Sequence, residues 1–384
     1  MTYPARSRAV AVVDYESPLQ VIELDVPALI DDAMLVQIEA ATACGTDMHI
    51  ANGDMRDVPT CRVPLVLGHE MVGRVVALGK GRRTDSLGRP LTEGDLVAWA
   101  SPWCDRCYWC TVAKQPTLCV NANLNGFGPL TSFPYLTGGF AEYCYVPPRS
   151  RAVLVPEGLS PALASSATCA FRTVVHAFET VGRLKPTDTI VIQGSGAVGL
   201  YATAYAKIMG IPQIVVIGAP ADRLHVARRW GATTVIDVMS TTVEERRDTV
   251  LSLTDGRGAD IIAECSGVAP AFTESLSLAR RGGHVLVVGA SDPRPSQVHA
   301  TNFNMRQISV SGSVSADISH FWRAFQILKH HSSEFDFEAV LGDEFTLDSV
   351  GDALAAIAAG SMKPVIRPHT STPAHDTKEL SEAR

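Results

Sequence analysis

The first 150 residues contain short apolar runs that are separated by glycine, proline and aspartate. Examples are LVQIEA at 35–40, MVGRVVALG at 71–79 and DLVAWA at 95–100. Runs of this length that are rich in valine and bounded by turn-forming residues are typical of short β-strands. The pattern therefore predicts a β-rich region in the first part of the chain.

After about residue 160 the pattern changes to apolar runs that alternate with helical stretches. TIVIQG (189–194) and QIVVIG (213–218) are predicted buried strands, and each precedes a helical pattern that stops at a glycine, Gly210 or Gly231. The alternation continues with predicted strands at 234–237, 259–267 and 284–289 and predicted helices that end near 254 and span 270–281. Repeated strand–helix units predict a doubly wound parallel sheet.

Beyond about residue 315 the helical pattern occurs twice more, in SHFWRAFQILKHH and DSVGDALAAIAAG. A short strand, KPVIRP, is predicted after the second helix. The final residues, HTSTPAHDTKELSEAR, are polar and predict a loosely packed tail.

Composition and charge narrow the class of protein. The chain has 384 residues, of which 46% are hydrophobic and 19% charged, which is enough for two domains with a large core. A net charge of −7 argues against nucleic-acid binding. The sequence contains no apolar run of about eighteen residues, which argues against a membrane span. Its N-terminus lacks the apolar core of a secretion signal. These features predict a cytoplasmic location.

Four of the nine cysteines lie within sixteen positions, in the run WCDRCYWCTVAKQPTLC. Cys104, Cys107, Cys110 and Cys119 could therefore surround one tetrahedral zinc ion in a closed, structural site. The alternative is a disulfide cluster, which would need an oxidising compartment that no other feature supports.

A glycine-rich turn follows the predicted strand at 189–194. It comprises Gly194, Ser195, Gly196, Ala197, Val198 and Gly199. Between a strand and a helix, this G-x-G-x-x-G spacing lets the backbone approach a pyrophosphate at the helix N-terminus, which predicts NAD or NADP binding. An acid that would bind the adenosine ribose is absent, because Gly218 stands at the end of the second strand. Arg223 could pair with a 2′-phosphate, stack on adenine or simply be solvated, so the choice between NAD and NADP stays open.

Three further residues could form an open metal site. Cys44 follows an apolar strand, His69 lies next to Glu70 between two strand-like runs, and Cys169 lies at the start of the second half of the chain. Two cysteines and one histidine leave a fourth zinc position for water or substrate. Spacing alone does not select these residues, because an isolated cysteine or histidine is usually a packing residue.

The motifs CGTDMH, GHEMVG, the four-cysteine run, GGFAEY, ATCAF and GSGAVG occur in this order along nearly the whole chain. In this respect the chain resembles the zinc-dependent medium-chain dehydrogenase/reductase superfamily, to which alcohol dehydrogenases belong. The resemblance implies a GroES-like β-rich catalytic domain over 1–170, with the zinc lobe at about 100–120. It further implies a Rossmann cofactor domain over 171–314 and a return to the catalytic domain over 315–384.

The resemblance also assigns roles to residues of the candidate metal site. Cys44, His69 and Cys169 match the catalytic zinc ligands, and Glu70 matches a carboxylate that enters the zinc sphere transiently. Polyol-type members use a glutamate as the third ligand, so Glu70 competes with Cys169 for that role.

The segment after Cys44 matches the proton relay of the same superfamily. Asp47 corresponds to the acid that orients the histidine ligand. Thr46 corresponds to the hydroxyl that takes the alcohol proton, and His49 to the histidine that ends the relay at the surface.

Two departures from better-known relatives bear on the substrate. Ala100 stands where many relatives carry a bulky aromatic residue, which predicts room for a secondary or branched alcohol. The stretch NANLNGFGPLTSFPYLT is an insertion that borders either the substrate cleft or the outer surface.

The leading hypothesis is a zinc-dependent alcohol dehydrogenase or ketone reductase with two zinc ions per chain and NAD or NADP. A homodimer or homotetramer is implied by the resemblance, with an alcohol or ketone substrate and no nucleic-acid or membrane partner. The alternatives are a polyol- or threonine-type zinc dehydrogenase, a zinc-free enoyl or quinone reductase on the same scaffold, and a non-enzymatic dinucleotide-binding redox sensor.

Overall fold

The computed structural model describes residues 3–182, 184–289 and 294–369. Within these ranges the strands are β1 (Arg6–Val12), β2 (Gln20–Asp25), β3 (Met34–Thr42), β4 (Leu65–Val66), β5 (Met71–Leu78), β6 (Leu96–Trp99), β7 (Tyr143–Val146), β8 (Ala152–Leu154), β9 (Thr189–Gln193), β10 (Gln213–Gly218), β11 (Thr234–Asp237), β12 (Ala259–Glu264), β13 (Ala279–Val287), β14 (Ser309–Gly312), β15 (Leu341–Phe345) and β16 (Lys363–Ile366). The α-helices are α1 (Gly45–Ala51), α2 (Tyr108–Thr111), α3 (Pro161–Ser166), α4 (Arg172–Val181), α5 (Ala197–Ile208), α6 (Ala221–Arg229), α7 (Val243–Leu253), α8 (Ala269–Leu278), α9 (Thr301–Asn304), α10 (Ile318–His330) and α11 (Val350–Ala358).

The second half of the chain forms a six-stranded parallel sheet in the order β11-β10-β9-β12-β13-β14. Both faces are covered, because Ile190 and Ile192 of β9 lie in one apolar core and Val191 lies in another. Strands that are apolar on both faces belong in such a covered parallel sheet. The predicted doubly wound sheet is therefore confirmed.

The boundary between α8 and β13 was predicted wrongly. The helix predicted over 270–281 ends at Leu278, because the backbone of Ala279 turns to an extended conformation with ψ 141°. Ala279 pairs with Ala259 of β12, so the strand predicted at 284–289 begins five residues earlier. The polar residues at 280–283 gave no apolar signal for this first part of the strand.

The β-rich part consists of two sheets. A seven-stranded sheet has the order β15-β16-β3-β5-β6-β8, with β7 also paired to β3, and a three-stranded sheet has the order β2-β1-β4. The last strand, β16, pairs with β3, so the end of the chain returns to the first part. The domain boundaries at 170 and 314 stay predictions, and the predicted polar tail lies outside the described residues from 370 onward.

A short π-helical turn, Ala167–Phe171, connects the β-rich part to the parallel sheet. The Phe171 ring stacks on Tyr201 of α5 at a centroid distance of 4.6 Å, and the Ser166 hydroxyl lies 2.7 Å from the Tyr201 hydroxyl. This packing fixes the turn against the helix that begins at the glycine-rich sequence. None of the helices in the described ranges has the length and apolar character needed to cross a bilayer.

Candidate functional site

Cys44 occupies the N-cap position of α1, two residues beyond the end of β3. Its backbone N–H donates to Asp47 Oδ2 at 2.9 Å, which satisfies one of the unpaired donors at the helix start. The short helix therefore fixes the Cys44 side chain and the Asp47 carboxylate relative to each other.

Asp47 is fully buried and uses its other oxygen to hold the next segment of the site. Its Oδ1 lies 3.1 Å from Nδ1 of His69 and accepts the backbone N–H of Gly68 at 3.3 Å. Burial opposes protonation of His69, but the charge of Asp47 and this hydrogen bond outweigh it and raise the pKa of the imidazole above its usual value. With Nδ1 engaged, Nε2 is the nitrogen available as a ligand.

The structure brings Cys169 to Cys44, His69 and Glu70. One ligand atom from each of the four residues lies within 4.8 Å of the others. Cys169 lies in the π-helical turn, and such turns are frequent at functional sites because they redirect side chains out of a regular helix. The contact between the two thiols lowers the pKa of Cys44 and raises that of Cys169, as expected for a pair that shares a proton.

Glu70 makes contacts that the sequence did not indicate. Its Oε1 accepts from Nζ of Lys363 at 2.5 Å, and its Oε2 accepts from the Thr42 hydroxyl at 2.6 Å. Both charged side chains are almost fully buried. Burial raises the pKa of the Glu70 carboxyl to about 7, although Lys363 acts in the opposite direction. The only sequence signal for this pair is a lysine at the start of an otherwise apolar strand.

The two predicted relay residues lie at different distances from the cysteine pair. The Thr46 hydroxyl oxygen is 3.9 Å from the Cys44 sulfur, at the edge of the cluster. His49 lies farther along α1 and outside the cluster, where its Nδ1 is 2.8 Å from Asp54 Oδ2. Asp54, which no sequence pattern indicated, therefore orients the His49 ring.

The insertion at 121–137 borders this cluster. The Phe127 ring lies 5.7 Å from the His69 ring, and Leu130 donates its backbone N–H to the Pro64 carbonyl at 2.6 Å. A side chain at Gly126 would lie 2.6 Å from the Gly68 carbonyl oxygen, so only glycine allows this close approach. One part of the stretch, around Gly126 and Phe127, therefore lies beside the cluster, whereas residues 131–133 are exposed at the surface.

The other four-cysteine group is also brought together. The sulfur of Cys107 lies 3.6 Å from that of Cys110 and 3.9 Å from that of Cys119, and the four sulfurs of the group lie within 4.8 Å of one another. A tetrahedral zinc ion with Zn–S bonds of about 2.3 Å would place its sulfurs about 3.8 Å apart. All nine cysteines are free, so the alternative of a disulfide cluster is not what the structure shows.

The glycine-rich turn has the geometry that its sequence predicted. Gly194 has φ 106°, and a side chain at Gly199 would lie 1.9 Å from the Gly194 carbonyl oxygen. At Gly196, the N-cap of α5, an added Cβ would meet no atom within 4 Å, so there is open space beside this residue. Ala197 and Val198 form the first turn of this helix.

Any side chain at position 218 would collide with Ser195. A Cβ there would lie 2.5 Å from the Ser195 hydroxyl oxygen and 2.9 Å from the Ser195 backbone nitrogen. The Ser195 hydroxyl donates to the carbonyl of Ala219 at 2.8 Å, which holds it in this place. The guanidinium of Arg223 donates to the carbonyl of Gly360, so this side chain is already engaged in a contact within the protein.

Comparison with known proteins identifies the family. The model of the alcohol dehydrogenase GroES-like domain matches residues 30–157, and that of the zinc-binding dehydrogenases matches 197–330. The chain is 31% identical over 340 residues to 5-exo-hydroxycamphor dehydrogenase of Pseudomonas putida, which covers 86% of this chain and 91% of that protein. The chain belongs to the zinc-dependent medium-chain dehydrogenase/reductase superfamily. The family and the GroES-like and Rossmann-type folds predicted from the sequence are confirmed.

Other members of this superfamily match almost the full length. L-threonine 3-dehydrogenase of Shigella sonnei (strain Ss046) is 28% identical, over 94% of this chain and 98% of that one. An alcohol dehydrogenase structure from Thermotoga maritima has a TM-score of 0.88 and 29% identity, over 94% and 99% of the two chains. A structure from Sinorhizobium meliloti 1021, bound to NADP, has a TM-score of 0.80 and 26% identity, over 95% and 100%. The chain is an oxidoreductase of the zinc-type alcohol and polyol dehydrogenase family that acts on CH–OH groups.

Proposed function

We propose that this dehydrogenase oxidises a secondary or branched alcohol, or reduces the corresponding ketone, with two zinc ions per chain and NAD or NADP. The observation that carries the proposal is the meeting of Cys44, His69 and Cys169, which come from three distant segments of the chain. Two thiols and an imidazole oriented by a carboxylate are not expected to meet at one point through packing alone.

The residues of the cluster fit a catalytic zinc ion. Two sulfurs and one imidazole nitrogen within 4.8 Å match the spacing of zinc ligands, and Asp47 supplies the partner that a ligating histidine usually has. Both oxygens of Glu70 already accept hydrogen bonds, from Lys363 and Thr42. These contacts favour Cys169 over Glu70 as the third ligand.

The reaction needs a proton path as well as a metal. A bound zinc ion supplies Lewis acidity that lowers the pKa of an alcohol hydroxyl. The Thr46 hydroxyl, at the edge of the cluster, would accept the alcohol proton as it gives up its own, and His49 would release a proton to solvent at the far end of the path. Asp54 holds the His49 ring by Nδ1, so Nε2 is the nitrogen that exchanges the proton.

The glycine-rich turn is the proposed cofactor site. The open space beside Gly196, at the N-terminus of α5, suits a pyrophosphate, which the helix dipole would stabilise. The nicotinamide ring of the cofactor supplies or accepts the hydride. The turn that carries Cys169 packs on α5, which keeps the cluster next to the cofactor.

The relatives support a secondary alcohol as the substrate. By their names, one dehydrogenates a hydroxyl group on the camphor ring system and another acts at carbon 3 of L-threonine. Both are secondary alcohols. Phe127, whose ring lies 5.7 Å from that of His69, would then give the pocket an apolar wall. Ala100 is 2% exposed and packs in the apolar core, so its effect on the size of the pocket stays a prediction.

The remaining alternatives are less well supported. A zinc-free enoyl or quinone reductase would not require Cys44, His69 and Cys169 to meet at one point. A redox sensor would not require the Thr46 hydroxyl or a His49 ring that is oriented by Asp54. A threonine-type activity remains the second candidate, because the L-threonine 3-dehydrogenases match 94% of the chain.

Metal analysis and substrate screening test the proposal. We expect about two zinc ions per purified chain, and about one in a Cys107→Ser variant that still oxidises alcohols. A panel of secondary alcohols, primary alcohols, L-threonine and ketones, each with NAD(H) and NADP(H), then defines the substrate. A wild-type chain without zinc, or with activity that survives complete chelation, contradicts the proposal.

The close contact between Gly218 and Ser195 leads to a prediction about cofactor affinity. Gly218→Asp should weaken binding of both NAD and NADP by about tenfold or more, because its Cβ would collide with Ser195. Gly218→Ala is the matched control and should show a similar loss, since the collision involves Cβ and not the charge. Isothermal titration calorimetry with each cofactor measures both. An Asp variant that gains affinity for NAD contradicts the steric explanation.

A further inference from the structure

Residues 313–317 form a connection between the parallel sheet and α10, called here the 313–317 segment. It follows β14 at the carboxyl edge of the sheet, the same edge that carries the glycine-rich turn. The backbone N–H of Ser313 donates to the Val287 carbonyl at 3.0 Å, so the segment begins as a continuation of the sheet. Ser315 has φ 57°, a conformation that a non-glycine residue keeps only when its surroundings hold it.

Helix α4 holds the segment from one side. Nη1 of Arg172 donates to the Ser315 hydroxyl and to the Ala316 carbonyl, both at 3.1 Å. Nδ1 of His176 lies 2.9 Å from the Ser315 carbonyl oxygen. Arg172 is the first residue after the turn that carries Cys169, so these contacts tie the segment to the metal-ligand cluster.

The four-cysteine lobe holds the segment from the other side, through Asp317. The indole N–H of Trp103 donates to Asp317 Oδ1 at 3.1 Å, and Nη1 of Arg151 donates to Asp317 Oδ2 at 3.1 Å. Trp103 directly precedes Cys104 and is buried. Arg151 lies outside the lobe, but its carbonyl accepts the backbone N–H of Ala100 at the start of the lobe at 2.9 Å, and its side chain contacts Asp105 at 3.4 Å. Both oxygens of one carboxylate are therefore used to join the lobe to the start of α10.

The position of the segment relates it to the cofactor. Dinucleotides bind across the carboxyl ends of the strands in such sheets. β10 ends at Gly218 and lies on one side of β9, whereas β14 lies on the other side. A cofactor whose adenosine group binds near Gly218 would therefore extend its nicotinamide group toward β14. Val314, in the middle of the segment, is 60% exposed and offers an apolar surface at this edge.

We propose that the four-cysteine lobe positions the nicotinamide half of the cofactor, acting through Asp317 and the 313–317 segment. This inference rests on the proposed function, since it requires a dinucleotide on this sheet. Trp103, Arg151 and Asp317 are positioning residues: they fix the segment's backbone and touch no reacting atom. The lobe thus contributes to cofactor binding in addition to stabilising its own loop.

The test compares the whole cofactor with its adenosine half. Trp103→Phe and Arg151→Met each remove one hydrogen bond to Asp317, and their double variant removes both. Calorimetric titrations use the reduced cofactor that the wild-type protein binds and the matching nicotinamide-free ligand, ADP-ribose or its 2′-phosphate. In the double variant we expect the Kd for the reduced cofactor to rise about tenfold. The Kd for the nicotinamide-free ligand should change less than about twofold.

A control and a second variant complete the experiment. Asp105→Asn removes the other acidic partner of Arg151 but leaves both hydrogen bonds to Asp317, so it should bind both ligands like the wild type. Cys110→Ser, which disrupts the lobe itself, should reproduce the selective loss of cofactor affinity. In steady-state assays, the double variant should raise the KM for the cofactor more than it lowers kcat.

Three outcomes contradict the inference. Equal weakening of both ligands in the double variant would mean a general loosening of the sheet and not a selective effect on the nicotinamide half. Unchanged affinities in that variant would mean that the lobe contacts do not position the segment. A wild-type protein that binds neither ligand would refute the proposed function as well, which separates that failure from the other two.

Discussion

Replacing Cys44 by alanine is expected to abolish alcohol oxidation while the fold stays intact. The substitution removes one of three proposed ligands from the cluster and leaves Asp47 and His69 in place. Loss of the Lewis acid costs several kcal/mol of transition-state stabilisation, so kcat/KM should fall by about 10³-fold or more. Circular dichroism should be unchanged, and zinc content should fall by about one ion per chain.

Cys144→Ala is the matched control for this experiment. Cys144 is a fully buried cysteine of β7 that belongs to neither cysteine cluster. Its replacement should leave zinc content and turnover close to wild-type values. Turnover that survives in Cys44→Ala, with a full zinc complement, would refute the catalytic assignment of the cluster.

The buried ion pair between Glu70 and Lys363 should have the second largest effect. Lys363→Met leaves the Glu70 carboxylate buried with only the Thr42 hydroxyl as a close partner among the contacts described above. Breaking a buried pair from one side typically lowers the free energy of unfolding by about 3–5 kcal/mol. Urea denaturation monitored by tryptophan fluorescence measures this loss.

A double variant distinguishes charge burial from lost packing. Lys363→Met combined with Glu70→Gln removes both charges and should recover most of the lost free energy of unfolding. Lys80→Met, at an exposed lysine, is the matched control and should change the free energy of unfolding by less than about 0.5 kcal/mol. A Lys363→Met variant as stable as this control would mean that the pair contributes nothing to the fold.

Features that depend on neighbouring residues could be predicted from the sequence. The four cysteines of the lobe lie close together along the chain, and the glycine-rich turn depends only on a strand, a turn and a helix in succession. For such features the residue pattern contains most of the information, and the structure shows the expected geometry at both. The strand–helix alternation predicted the parallel sheet for the same reason.

Features that depend on distant residues could not be predicted in this way. Cys44, His69 and Cys169 were grouped only through resemblance to a family, because nothing in their spacing indicates that they meet. Glu70 and Lys363 are 293 positions apart, and no local pattern relates them. The early start of β13 was missed because its first residues are polar and pair with β12 through their backbone. Tertiary packing decides these features.

The pairing of β16 with β3 has a consequence for the order in which the protein is assembled. Glu70 is synthesised 293 residues before its partner Lys363. Until Lys363 is synthesised, the Glu70 carboxylate has no lysine to pair with, which disfavours its burial in the β-rich part. We therefore expect the cluster of Cys44, His69, Glu70 and Cys169 to reach its final form only after the parallel sheet, β9 to β14, has been synthesised.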